Sequence, residues 1–150
     1  MKRELKEERD LLIMKIQQLF SFTRVYAMLV HSTESTRFEE GKEYGRAKHT
    51  MIYLLFSYLY SVFDKNGVMF RNELFPDIDP QVIVPILEEW TKIQNKIERM
   101  RHNQGFHSFP KYAGVMDASM NFRSLESEGV GIAFDLIHAL KEVANKAMDS

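Results

Sequence analysis

Apolar residues recur along the start of the chain at steps of three, four or seven: Leu5, Leu12, Ile16, Leu19, Thr23, Tyr26 and Val30. That spacing lays them on one face of a helix from about Glu4 to Val30. A polar stretch, His31 to Arg37, separates it from a second helix. Thr36 and Glu39 fit a capping box, with Thr36 as the N-cap, and the helix is expected to reach about Asp64. Gly41 and Gly45 weaken its first turns. Met51 to Phe63 is apolar nearly all round, which suits the centre of a bundle or a subunit interface.

Asp64-Lys65-Asn66-Gly67 is a turn signal. The segment from there to Asp79 reads as a loop with a short helical turn. Asp79-Pro80 suits an N-cap followed by proline at the first helical position. Pro85 then implies either a kink or a regular helix that begins near it. Ile86, Trp90, Ile93, Ile97 and Met100 alternate steps of four and three. The same rhythm lands on Gln104 and His107, so His107 points as the core stripe points. Gly105 and Pro110 close this third helix. Ser108 to Ser127, rich in small polar residues, is expected to be a loop of the long kind that is often functional. A last helix from about Glu128 to Met148 carries Ala133, Leu136, Ile137, Leu140, Val143, Ala144 and Ala147. With no sustained strand alternation, repeat or linker, residues 1–150 are expected to form a single all-α domain, a four-to-five-helix up-and-down bundle.

Composition narrows the function classes. Apolar residues make up 45% and charged residues 27% of the 150 residues, ordinary for a soluble globular protein. A formal charge of −1 argues against a chain-wide nucleic-acid footprint, so any such site must be local. The absence of cysteine excludes disulfides, thiolate nucleophiles and cysteine-based zinc sites, and it is compatible with the cytoplasm. The mixed-charge N-terminus lacks the apolar run of a signal peptide. Met51 to Phe63 is too short for the roughly 20 residues of a membrane-spanning helix. A cytoplasmic protein without membrane attachment is the expectation.

Candidate chemistry concentrates in Arg101-His102-Asn103-Gln104-Gly105-Phe106-His107. An imidazole, with an ordinary pKa of about 6.5, can take a proton from a hydroxyl near neutral pH. A guanidinium keeps its charge and forks onto phosphate oxygens. The two together suit phosphodiester cleavage without a metal or cofactor. Between positions 92 and 111 five cations, Lys92, Lys96, Arg99, Arg101 and Lys111, stand against the single Glu98. Such a patch fits phosphate positioning, and it equally fits a solvated helix face. Tyr112, with Phe106 and Phe109, could stack bases or simply pack beside a helix end. His102 would hold the phosphate or orient the pair, or be an exposed helix-end histidine. Six residues turn a regular helix through about 240° with a rise of about 9 Å. Arg101 and His107 therefore lie about 120° apart, and either Gly105 breaks the helix or two copies of the motif meet across a dimer. A second arginine–histidine pair, Arg24 and His31, reads as helix-end cations.

An all-helical chain with Arg101-His102 followed by His107 late in its third helix resembles the HEPN superfamily, marked by an arginine, a polar residue and a histidine a few positions on. Leu54-Leu55-Phe56-Ser57-Tyr58-Leu59-Tyr60-Ser61-Val62-Phe63-Asp64 resembles the second helix of its abortive-infection U-type branch. The resemblance spans about Lys48 to His107 and the helix order. It implies a HEPN-like bundle and a metal-independent endoribonuclease of toxin or phage-defence type, dimeric, acting on RNA and paired in some systems with a cognate antitoxin. By this likeness Arg101, His102 and His107 form the catalytic set, with Lys92, Lys96, Arg99, Lys111 and Tyr112 in reach of RNA. Members silenced by nucleotide transfer carry a tyrosine two residues after the histidine, where this chain has Phe109. The rival reading is a non-catalytic helical module that binds RNA, nucleotides or another protein.

Overall fold

The computed structural model describes residues 1–31, 38–64, 67, 69–104 and 120–149. Four long helices carry most of the described residues: α1 (Arg3–His31), α2 (Phe38–Phe63), α3 (Pro80–Gln104) and α4 (Val130–Asp149). No strand occurs among the described residues, so the fold is an all-α bundle. Each helix packs on the next, and α4 closes the ring against α1. The apolar stripes supply one shared core, in which Leu12, Ile16 and Leu19 of α1 meet Ile52, Leu55, Phe56 and Leu59 of α2. All seven apolar positions expected of the last helix are buried on α4.

The ends of α2 and α3 follow local chemistry. After Phe63 the chain turns left-handed at Asp64 (φ 57°), whose N–H donates to the Tyr60 carbonyl at 2.7 Å. Gly67 (φ 69°) follows, and a Cβ there would stand 2.8 Å from Leu87 Cδ2. Both the conformation and the space therefore call for glycine. A 3-10 turn, Asn72–Leu74, then buries Leu74 in the core along with Phe70 and Phe75. Asp79 Oδ1 accepts the N–H of Gln81 at 2.9 Å and caps α3 as expected. The helix starts at Pro80 and runs through Pro85. Pro85 and Gln81 are both exposed, so the carbonyl that proline leaves without a donor can be hydrated. Trp90, 1% exposed, stacks on Phe63 at 4.5 Å and fixes α3 to α2 at the core.

One boundary differs from expectation. Residues 120–124 are already helical, and a π-turn, Leu125–Gly129, joins them to α4, where the sequence suggests loop as far as Ser127. Phe122 and Leu125 are buried and carry the apolar stripe of α4 two further turns toward its N-terminus. Gly129 lies so near α2 that a Cβ would meet the Phe56 ring at 3.2 Å. Asn121 donates to the Lys96 carbonyl at 2.8 Å, which ties this extension to α3. Small polar residues read as loop are here the outer face of a helix. The Thr36 cap, and the closure of α3 by Gly105 and Pro110, lie outside the described residues.

Candidate functional site

The last turns of α3 and the middle of α2 enclose a cleft of about 370 Å³. Its wall on α2 comprises Tyr53, Leu54, Ser57, Tyr58 and Tyr60, and its wall on α3 comprises Glu98, Arg101 and His102. The helical period explains the grouping. Positions 53, 57 and 60 share one face of α2, and 98, 101 and 102 share one face of α3. Neither stripe belongs to the core, because each sits beside the buried positions rather than on them.

Arg101 extends its guanidinium over the Tyr60 ring, 4.2 Å from the centroid. The ring face attracts the cation and narrows its range of motion. Burial raises the Tyr60 pKa, the Glu98 and Asp64 carboxylates push it further up, and Arg101 opposes them. The phenol therefore stays protonated through neutral pH. His102 Nε2 lies 4.0 Å from Glu98 Oε1, one helical turn back, which is too long for a hydrogen bond. The His102 side chain is 63% exposed and the Glu98 side chain 30% exposed. Ser57 Oγ is buried in the α2 wall and has no hydrogen-bond partner among the described residues. A helical serine commonly bonds a carbonyl of the preceding turn, as Ser61 does to Tyr58 at 2.6 Å. Ser57 does not.

The structure brings Arg101 and His102 to one cleft and distributes Lys92, Lys96 and Arg99 elsewhere. Lys92 is paired with Glu89 on the exposed side of α3. Lys96 donates to Ser124 Oγ at 2.6 Å and lies 3.7 Å from Glu128, so it serves the π-turn. Arg99 is exposed and does not line the cleft; two residues before Arg101, it points about 160° away. Lys92 to Arg101 is thus several helix faces rather than one patch. His107, Lys111 and Tyr112, with Phe106 and Phe109, lie outside the described residues. Of the other pair, Arg24 is exposed on α1 and the His31 side chain is not described. His49 stacks on Phe122 at 4.0 Å, a packing contact. Among the described residues no three His, Asp or Glu side chains gather as a metal would require.

The sequence reading missed the α2 wall. Tyr53, Ser57 and Tyr60 look like interruptions in a greasy run, yet their spacing of four and three is a helical face of its own. In the sequence Glu98 stands out only as a charge against the cations, although it lies one turn before Arg101 and His102. No family model, curated protein or solved structure matches the chain.

Proposed function

We propose that the α2–α3 cleft is the site of a metal-independent endoribonuclease related to the HEPN superfamily. The observation that carries this reading is that Arg101 and His102, adjacent in sequence, line one cleft with room for part of a nucleotide. In this scheme His107 takes the proton of a ribose 2′-hydroxyl as O2′ attacks phosphorus. The P–O5′ bond breaks, the departing O5′ takes a proton from water, and the products are a 2′,3′-cyclic phosphate and a 5′-hydroxyl. Arg101 balances the charge that builds on the phosphoryl oxygens, and His102 holds the phosphate. Toxin or phage-defence action in the cytoplasm, with a cognate antitoxin as partner, follows from the same family likeness. Incubation of the protein with a mixed RNA pool in excess chelator tests the reading. Cleavage should proceed and vanish in Arg101→Ala and His107→Ala with the helical circular dichroism intact; cleavage restored only by a divalent ion would sink it.

The same reading includes a homodimer, as the HEPN likeness implies. Exposed apolar side chains fall on α1, at Leu11, Met14, Val25 and Met28. With Gln18 and Ser21 they form a seam at alternating steps of three and four. An antiparallel second copy centred between Gln18 and Ser21 sets Leu11 against Met28 and Met14 against Val25. The seam is therefore complementary to itself.

A second reading, a module that binds RNA or nucleotides without cutting them, is favoured by the tyrosine-rich α2 wall. Binding of RNA without cleavage would select it.

A further inference from the structure

The cleft holds more than phosphate chemistry requires. Arg101 and His102 suffice to hold an anion, whereas a carboxylate in the same space opposes one. Glu98 is nevertheless there, together with three tyrosines and the Ser57 hydroxyl, which is buried without a partner among the described residues. Aromatic walls suit a flat ring. The unpaired hydroxyl suits a ligand with a polar edge, because a buried hydroxyl left without a partner is costly. The carboxylate offers two acceptors side by side and no donor. At about 370 Å³ the cleft lies at the small end of the roughly 300–1,000 Å³ typical of small-molecule sites.

We infer that the α2–α3 cleft is a nucleobase seat selective for guanine, with Glu98 reading the base and Ser57 completing its hydrogen bonds. Guanine alone among the four RNA bases presents two adjacent donors, N1–H and the 2-amino group, to the two oxygens of one carboxylate. Adenine and cytosine present one amino group beside a ring-nitrogen acceptor, which would face the second oxygen and repel it. Uracil presents one N–H between two carbonyls. The edge of guanine turned away from Glu98 carries the O6 and N7 acceptors, and a hydroxyl such as that of Ser57 can donate to them. Tyr53 and Tyr58 supply ring surface. The arrangement leaves Arg101 and His102 at the cleft for the phosphate of the same nucleotide.

This inference rests on the proposal that the cleft takes RNA, but its test does not need cleavage. Calorimetric titration of the full chain with GMP, AMP, CMP, UMP and ribose 5-phosphate should show GMP binding about tenfold or more tightly than the others. Glu98→Gln should bring GMP to the level of AMP, and Ser57→Ala should weaken GMP while leaving ribose 5-phosphate unchanged. Both variants should keep the wild-type circular dichroism; Glu98→Ala provides a second removal of the carboxylate should Gln retain one bond. Equal binding of all four nucleotides and ribose 5-phosphate, or GMP selectivity that survives both Glu98 variants, overturns the inference. RNA cleavage without preference for a neighbouring guanosine and with no GMP selectivity overturns it and leaves the nuclease reading intact. GMP selectivity lost in Glu98→Gln without any RNA cleavage upholds it and removes the nuclease.

Discussion

Tyr58 stands between two clefts of similar size and different chemistry. On one side, α2 and α3 enclose about 370 Å³ with Glu98, Arg101 and His102. On the other, α1 and α2 enclose about 410 Å³ with Lys15, Gln18, Ser21, Phe22, Val25 and Ser61. In the second cleft the one cation is engaged with backbone: Lys15 Nζ reaches the Ser61 carbonyl at 3.5 Å. In the first, guanidinium, imidazole, carboxylate and a hydroxyl without a partner among the described residues converge. Volume alone would rank the two alike, and the difference shows why chemistry must be read from which side chains share a helix face. The largest expected effect breaks the symmetry between them. Arg101→Ala should abolish detectable RNA cleavage, a loss of at least about 10²–10³-fold, the usual cost of losing a group that meets transition-state charge. Arg24→Ala and His31→Ala, in the other arginine–histidine pair of the sequence, should leave most activity. A cleavage assay in which the Arg24 variant is the damaged one would move the site to α1.

The two clefts are also expected to differ in what occupies them, a nucleotide in one and a second copy of the chain beside the other. Val25→Glu would place a charge in the α1 seam opposite Met14 of the other copy. Light scattering should then show dimerisation weakened by about tenfold or more, since a desolvated, unpaired carboxylate opposes association. GMP binding in the α2–α3 cleft should stay unchanged. A wild-type protein that scatters as a 17.7 kDa monomer at micromolar concentration would remove the seam from the argument.

Tyr60 belongs only to the first cleft, and its ring carries the Arg101 contact. Tyr60→Ala should cost roughly 2–30-fold in cleavage, the span expected for a cation–π contact of about 0.5–2 kcal/mol. Tyr60→Phe keeps the ring and should restore most of it. If phenylalanine is as damaging as alanine, the hydroxyl and not the ring holds Arg101.

Much of this architecture was legible because burial leaves a period in the sequence. The stripes of α1, α3 and α4 fall where their steps of three and four place them, and the Asp79 cap and the Asp64–Gly67 turn follow from residue type. The start of the last helix was not legible. Asn121, Ser124 and Ser127 carry loop-like composition, and only packing of Phe122 and Leu125 on the core makes that stretch helical. The pairing of Arg101 with His102 at one cleft was visible as adjacency. The α2 wall was not, since Tyr53, Ser57 and Tyr60 become a surface only when α3 settles beside them. The cationic run dispersed for the converse reason: sequence proximity on a helix scatters side chains around its axis.

The smallest expected effect concerns alkaline stability and separates Tyr60 from the tyrosines of lower consequence. Its folded pKa is raised above the ordinary value of 10.0, first by burial and then by Glu98 and Asp64. The folded protein therefore holds this proton more tightly than the unfolded chain does. A group of that kind contributes its full stability below the unfolded pKa and loses it as pH rises through the folded one. The loss attached to Tyr60 should accordingly begin near pH 10 and grow above it. Tyr60→Phe has no proton to lose, so its urea midpoint should decline less steeply than wild type above pH 10, while the two curves run parallel from pH 7 to 9. Identical alkaline slopes for wild type and Tyr60→Phe would mean that burial does not hold the Tyr60 proton. The desolvated α2–α3 wall, and with it the contrast between the two clefts, would then be lost.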